Sequence, residues 1–314
     1  MSDASKPTGN AGLPKPWELK AAYDAGQNLM KLIRSTTGDS MNHERTIEMS
    51  YDLQSGTYIS KAETADGEAR RRHFSGELAC LIEELGGASS ILEAGVGECT
   101  TLWFLLEALN ADNINAHGFD LCWSRVACGS AWMKQKGRFN ASLSAASLTA
   151  IPYADDSFDV VYTAHAVEPN HGREEAILEE LYRVTSRYLI LLEPSFELAS
   201  DDARARMESH GYCRGLVEIA RSRGWKVIRH ELFKGGNSPQ NPTGLILIEK
   251  NKSAPSTQPK YACPTYHTPM QRHADCFYSP ESMLAYPILG GIPCLRTDHA
   301  IVASKYLQSA EWTS

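Results

Sequence analysis

The sequence predicts a doubly wound α/β fold: a mostly parallel sheet with N-terminal helices and a small β-rich module at the C-terminal end. Three observations predict it. Short apolar strand-like segments alternate with helical ones from residue 86 to 250, and strands separated by helices need crossover connections, which make a parallel sheet. A turn with two closely spaced glycines, Glu93-Ala-Gly95-Val-Gly97, follows the first strand. The last two strand-like segments have no helix between them, so one of them must run antiparallel.

Residues 1–16, rich in Ser, Gly and Pro, read as a disordered lead with no apolar signal core. Residues 17–85 form a helical, lid-like region. Within it Trp17, Leu19, Tyr23, Leu29 and Ile33 recur at roughly helical spacing and predict one helix over 17–33. Phe74, Leu78, Leu81, Ile82 and Leu85 place a second stripe on 66–85, stopped by Gly86 and Gly87. The main domain, 86–250, then reads strand, helix, strand, helix through SSILEAG, TLWFLLEAL, INAHGFD and WSRVACGSAWMKQ. It continues through SFDVVYTA, REEAILEELYRVT and RYLILLEP, and one helix is expected over 201–224. WKVIRHELF and GLILIEK close it as a hairpin-like return. Residues 251–260 are a linker by composition, and 261–306 are a short module with its own Pro, Gly and Cys punctuation.

Composition narrows the function classes. No apolar run approaches the ~18 residues that span a bilayer, so no membrane partner is expected. Eight cysteines at irregular spacing do not form a disulfide framework, which fits a reducing cytoplasm. A formal net charge of −7 disfavours nucleic acid as a general partner. The exception is a basic stretch, Arg204, Arg206, Arg214, Arg221, Arg223, Lys226 and Arg229, which reads first as a solvated face.

Small residues at Gly95 and Gly97 let backbone approach a ligand, and the helix that follows points its first amides at it. The next strand ends at Asp120, where a carboxylate can accept both hydroxyls of a ribose. Together these residues resemble the class I S-adenosylmethionine-dependent methyltransferases, in the branch often called type 11. Glu93, Gly95 and Gly97 match the family's first motif, and Cys99 replaces its third glycine. Asp120 matches the ribose carboxylate. Ile151, Pro152, Asp156, Ser157, Phe158 and Asp159 match the segment L-P-F-x-D-x-S-F-D-x-V, and Glu168 falls on the acidic position of the loop after it. The family's adenine-binding Asp is replaced by Ser147, so the resemblance leaves adenine to Ser147 and Leu148. It implies a seven-stranded, Rossmann-like sheet and S-adenosylmethionine as the cofactor, held by Glu93, Gly95, Gly97, Asp120, Leu121, Ser147, Leu148 and His165.

The sulfonium cofactor already carries an activated methyl group, so the protein has to align donor and acceptor and exclude water. A base is needed only if the acceptor arrives protonated. His165 is the candidate, with the alternative that it is structural. Glu168, His171 and Glu193 are candidates for substrate binding, Glu193 equally for capping or pairing. Tyr51 and Tyr58 have the composition of a lid. Cys99 and Cys122 read as small core residues.

In the C-terminal module, Cys263, Pro264, Ala285, Tyr286, Pro287, Ile288, Gly291, Ile292 and Pro293 resemble the zinc-ribbon-like activator subunit of tRNA and release-factor methyltransferases. Tyr266 stands where the second knuckle cysteine would be, so no metal is expected. The reading is a methyltransferase acting on a small molecule, including saccharides and secondary metabolites. RNA or protein modification and a non-catalytic binding subunit are the alternatives, and a homodimer stays open.

Overall fold

The computed structural model describes residues 14–38, 41–137, 140–236, 238–250 and 259–308. The expected lead thus lies almost wholly, and the expected linker mostly, outside the described residues. In chain order the N-terminal part holds α1 (Pro16–Asp24), α2 (Leu29–Thr37), α3 (Glu44–Asp52), α4 (Thr57–Ala62) and α5 (Ala65–Glu84). The central part runs β1 (Ser90–Ala94), α6 (Thr100–Ala108), β2 (Asn115–Asp120), α7 (Trp123–Lys136), β3 (Ser142–Ala145) and β4 (Phe158–Ala164). It continues with α8 (Glu174–Val184), β5 (Thr185–Pro194), α9 (Asp201–His210), α10 (Leu216–Ser222), β6 (Lys226–Leu232) and β7 (Thr243–Glu249). The module adds β8 (Gln271–Arg272), β9 (Cys276–Ser279), β10 (Leu284–Leu289), β11 (Ile292–Pro293) and β12 (Ile301–Val302).

The main sheet has the order β3-β2-β1-β4-β5-β7-β6, and its one antiparallel member is β7, between β5 and β6. Its central strands are apolar on both faces because helices cover both. On β1, Ile91 packs with Phe74, Leu78 and Ile82 of α5, while its neighbour Leu92 packs with Ile177 and Leu181 of α8. Val160 and Val161 on β4 divide in the same way. Each such buried Leu or Ile would cost about 2–5 kcal/mol if cut to Ala.

Two expected helices are each two. The helix expected over 17–33 breaks at Gly26, whose φ of 74° ends α1 before α2 begins at Leu29, and Trp17 is exposed. The helix expected over 201–224 breaks between Gly211 and Gly215, both in the left-handed region. The strand β3, which alternation alone passes over, is a short segment of Ser, Ala and one Leu paired to β2.

The C-terminal module is joined to the main core. Tyr261 stacks near Tyr153 with ring centroids 4.7 Å apart and near Phe277 at 4.6 Å. Leu295 N donates to Ala145 O at 2.7 Å, and Ala145 and Cys294 form a parallel bridge, so the module continues the sheet beyond its β3 edge. No group of three His, Cys, Asp or Glu residues stands close enough to hold a metal among the described residues. Cys263 lies 3.3 Å from the Tyr286 hydroxyl. No described helix is long and apolar enough to cross a membrane.

Candidate functional site

A cavity of about 590 Å³ opens at the C-terminal edge of the sheet, where β1, β2 and β4 diverge from their helices, the place ligands take in such sheets. Its floor is the turn after β1. Gly95 and Gly97 have φ of 81° and 53°, and Cys99, at 60°, leads into α6. Gly95 N and Val96 N both donate to Phe119 O at 2.8 Å, which locks the turn against β2. A Cβ at Gly95 would fall 2.2 Å from the Ala166 Cβ, and one at Gly97 would fall 2.6 Å from Arg125 Nη2. The second glycine therefore leaves room for a guanidinium as well as for a ligand.

Asp120 is buried, and its two oxygens accept from Gly97 N and Cys122 N, each at 2.9 Å. Arg125 Nη1 stands 3.8 Å from it. That guanidinium lies 5.1 Å from the centre of the Tyr51 ring and 4.6 Å from that of Tyr58, so both rings face the cation. Glu98 fixes α4 by accepting from Gly56 N at 3.0 Å and Ile59 N at 2.8 Å. A carboxylate there satisfies the orphan amides of the helix start.

The preceding helix, α3, brings in Glu44. Its Oε1 accepts from the hydroxyl of Ser147 and from Thr149 Oγ1 at 3.1 Å. The same helix is braced by Arg296 of the module, 2.8 Å from Glu48. The Cys122 thiol donates to the Glu48 carbonyl at 3.3 Å.

At the opposite end Glu93 is fully enclosed beneath the turn. Burial pushes its carboxyl up to about 8, against the Tyr162 hydroxyl that donates to it at 2.8 Å and the nearby Arg71. Arg71 donates to Thr101 Oγ1 at 3.1 Å. Burial lowers its basicity, and the charge of Glu93 opposes that.

His165 lies on this side too, in the left-handed region at φ 58°. Its Nδ1 is 2.9 Å from Glu168 Oε2 and its Nε2 is 2.8 Å from Thr243 Oγ1. Enclosure opposes the imidazolium, but the hydrogen bond and charge of Glu168, with Glu193 farther off, lift it above 6.5. The neutral tautomer then carries its proton on Nδ1, and Nε2 accepts from the Thr243 hydroxyl.

Glu93, Gly95, Gly97, Asp120, Leu121, Leu148, His165, Tyr51, Tyr58 and Glu168 all line the cavity. Three expected residues do not. Ser147 is turned to Glu44 and Thr149. His171 pairs with Glu174 at 2.8 Å outside the cavity. Glu193, expected at the substrate, is buried behind it. It accepts from Ala166 N at 3.0 Å and Glu168 N at 3.1 Å, so it holds the histidine loop from below. Burial raises the Glu193 carboxyl, and the His165 charge opposes that rise. Sequence reading missed Glu44, Arg71, Glu98, Arg125, Arg206 and Thr243, all of which line the cavity. Arg125 had a signal, as a cation one turn into the helix after Asp120. Glu44 had none, because its role depends on a fold-back across 103 residues.

Residues 91–187 match the family model described as a methyltransferase domain. No curated protein matches the chain. Among solved structures, magnesium protoporphyrin IX methyltransferase of Synechocystis PCC 6803, crystallised with S-adenosylhomocysteine, aligns with a TM-score of 0.51 at 11% identity. That alignment covers 67% of this chain and all of that one, and shows the shared fold. Human N-acetylserotonin methyltransferase aligns at 14% identity and TM-score 0.48, over 76% of this chain and 67% of its own. An S-adenosylmethionine-dependent methyltransferase of Aquifex aeolicus aligns at 18% identity and TM-score 0.43, over 62% of this chain and 97% of its own.

The residues present fit S-adenosylmethionine. The Gly95–Gly97 cradle would be filled by a side chain at either glycine. Asp120 suits a ribose diol, and Glu93 beside Arg71 offers an anion and a cation to an amino-acid tail. Leu121 and Leu148 offer apolar surface to a purine.

Proposed function

We propose that this methyltransferase domain, with S-adenosylmethionine as its cofactor, methylates a small-molecule acceptor seated between His165 and the β6–β7 loop. The observation that carries the reading is the His165–Thr243 pair in the wall of a cavity covered by Tyr51 and Tyr58. The cofactor supplies a methyl group activated on a sulfonium. The chain's own residues do the rest. Asp120 and the Gly95–Gly97 turn fix the ribose end, and Arg71 with Glu93 fixes the tail. The lid tyrosines, held by Arg125, exclude water.

His165 accepts the acceptor's proton at Nε2. Glu168 on Nδ1 sets that tautomer and favours the charged ring that results. Thr243 presents its hydroxyl to the same nitrogen and marks where an acceptor hydroxyl or amine would sit.

The basic stretch supports a small molecule over RNA. Arg204 pairs with Asp201, Arg214 with Glu208, Arg223 with Glu179, Lys226 with Glu249 and Arg229 with Glu231. Among the described residues only Arg206 and Arg221 of this stretch have no ion pair, too few for a continuous phosphate-binding face.

Calorimetric titration with S-adenosylhomocysteine tests the reading. Micromolar binding is expected, weakened about a hundredfold by Asp120→Ala, a loss of about 2.7 kcal/mol. Asp120→Asn keeps the size of the side chain and separates turn geometry from charge. A folded protein that binds neither S-adenosylmethionine nor its product would overturn the proposal.

A further inference from the structure

The cavity reaches beyond the residues that suit the cofactor. Its far end is formed by Phe74 of α5, Arg206 of α9, and Gly235, Gly236, Asn241 and Thr243 between β6 and β7, facing His165 and Glu168. The charge there is unbalanced. Glu168 is already hydrogen-bonded to His165. Arg206 and Arg221 are the members of the basic stretch that form no ion pair among the described residues, and of the two only Arg206 lines the cavity. Its Nη1 is buried and has no hydrogen-bond partner among the described residues.

Arg206 reaches inward over Tyr212, its guanidinium 5.8 Å from the centre of that ring. The Tyr212 hydroxyl hydrogen-bonds the same guanidinium, and Arg206, Glu168 and Tyr58 all line the cavity. Arg71, the other guanidinium of the cavity without an ion pair among the described residues, lies by Glu93 and is committed to the cofactor's carboxylate. Arg206 is left over. The side chain is half-buried and bonds Tyr212, but its enclosed Nη1 keeps a donor with no acceptor among the described residues, and a ligand in the cavity can supply one. A carboxylate or phosphate matches the planar fork of its donors.

We infer that the methyl acceptor is an anion: a small molecule with a carboxylate or phosphate group that Arg206 binds, which turns its nucleophilic atom toward His165 and Thr243. This rests on the function proposed above and specifies its substrate class. Phe74, which lines this end and packs edge-on against Phe233 at 5.0 Å, and Tyr58 give the body of such a molecule aromatic walls.

The test is calorimetric titration of the chain, saturated with S-adenosylhomocysteine, with 4-hydroxybenzoate, 4-hydroxyphenyl phosphate and the neutral 4-hydroxybenzamide. At least one anion is expected to bind ten times or more tighter than the amide. Which of the two does so tells carboxylate from phosphate. Arg206→Gln should erase that preference, Arg206→Lys should keep part of it, and both variants should bind S-adenosylhomocysteine as the unaltered chain does.

Equal affinity for amide and anions, no binding of either anion, or a preference that survives Arg206→Gln overturns the inference. The titrations are repeated without S-adenosylhomocysteine. A chain that fails to bind this product but still prefers the anions through Arg206 would refute the cofactor reading and leave the anion site standing.

Discussion

The two ends of the cavity are built on opposite principles. At the ribose end most polar groups are matched within the chain, the buried Nε of Arg125 excepted. Asp120 takes two backbone amides, Glu98 takes two more, Glu44 takes two hydroxyls, and Arg125 lies between two tyrosines beside Asp120. At the acceptor end Arg206 keeps a buried donor without a partner, and His165 is held in a strained backbone conformation. The first end is preorganised, so little ordering remains to oppose cofactor binding. The second keeps unmet hydrogen-bonding capacity for a ligand to satisfy, which is where selectivity among acceptors is strongest.

Breaking the acceptor end should show in rate. His165→Gln is expected to lower kcat/KM by about a hundredfold or more while S-adenosylhomocysteine binds as before, read by product release and calorimetry. The base must be neutral, and Glu168 holds His165 above 6.5. Activity should therefore rise with pH through an inflection above 6.5. Glu168→Gln removes the group that lifts it, and the inflection should move down. An inflection unmoved by that change would exclude His165 as the base.

Breaking the ribose end should show first in stability. Arg296 and Glu48 form an ion pair whose side chains are 6% and 18% exposed. Arg296→Ala leaves Glu48 with Arg45 alone, 2.9 Å from the same oxygen, and a loss of about 2 kcal/mol is expected, measured by denaturant unfolding. Arg296→Lys should recover part of it. Affinity for S-adenosylhomocysteine should fall with Arg296→Ala, because α3 also carries Glu44 and Tyr51 into the cavity.

The smallest effect belongs to the boundary between the ends. With its carboxyl pushed up to about 8, Glu93 is protonated at pH 7 in the free chain. An ammonium group placed beside it favours the carboxylate, so cofactor binding near pH 7 should release a fraction of a proton. Calorimetry in buffers of different ionisation enthalpy measures that release, and Glu93→Gln should abolish it. Uptake of a proton instead would place the amino group elsewhere.

The same contrast explains what could be read from residues alone. The sheet, its antiparallel β7 and the floor of the site follow from local pattern: alternation, paired glycines, and an acid at a strand end. The helix breaks at Gly26 and Gly211–Gly215 were visible as glycines but overridden by the apolar spacing around them. β3 was missed because its Ser and Ala residues carry little hydrophobic signal. His171 and Ser147 stood at suitable positions, but nearby carboxylates, Glu174 and Glu44, turned them away. Glu44 and Arg71 reach the cavity from helices ahead of the strand-helix alternation, and Arg206 from the helix after β5. Only tertiary packing brings them there, and no spacing rule announces it.

The contact between Glu48 and Arg296 also has a consequence in time. The two residues lie about 250 positions apart, and a ribosome adding about 5–20 residues per second needs roughly 3–10 s for the last 50 of them. For that interval the main sheet can be complete while its β3 edge is bare and Glu48 has only Arg45 beside it. A bare strand edge recruits other strands, so the nascent chain passes through a window of self-association just before its cofactor site is finished. Cofactor supplied during synthesis should therefore do little for yield until residue 296 has emerged, whereas a chaperone that shields the β3 edge should do much.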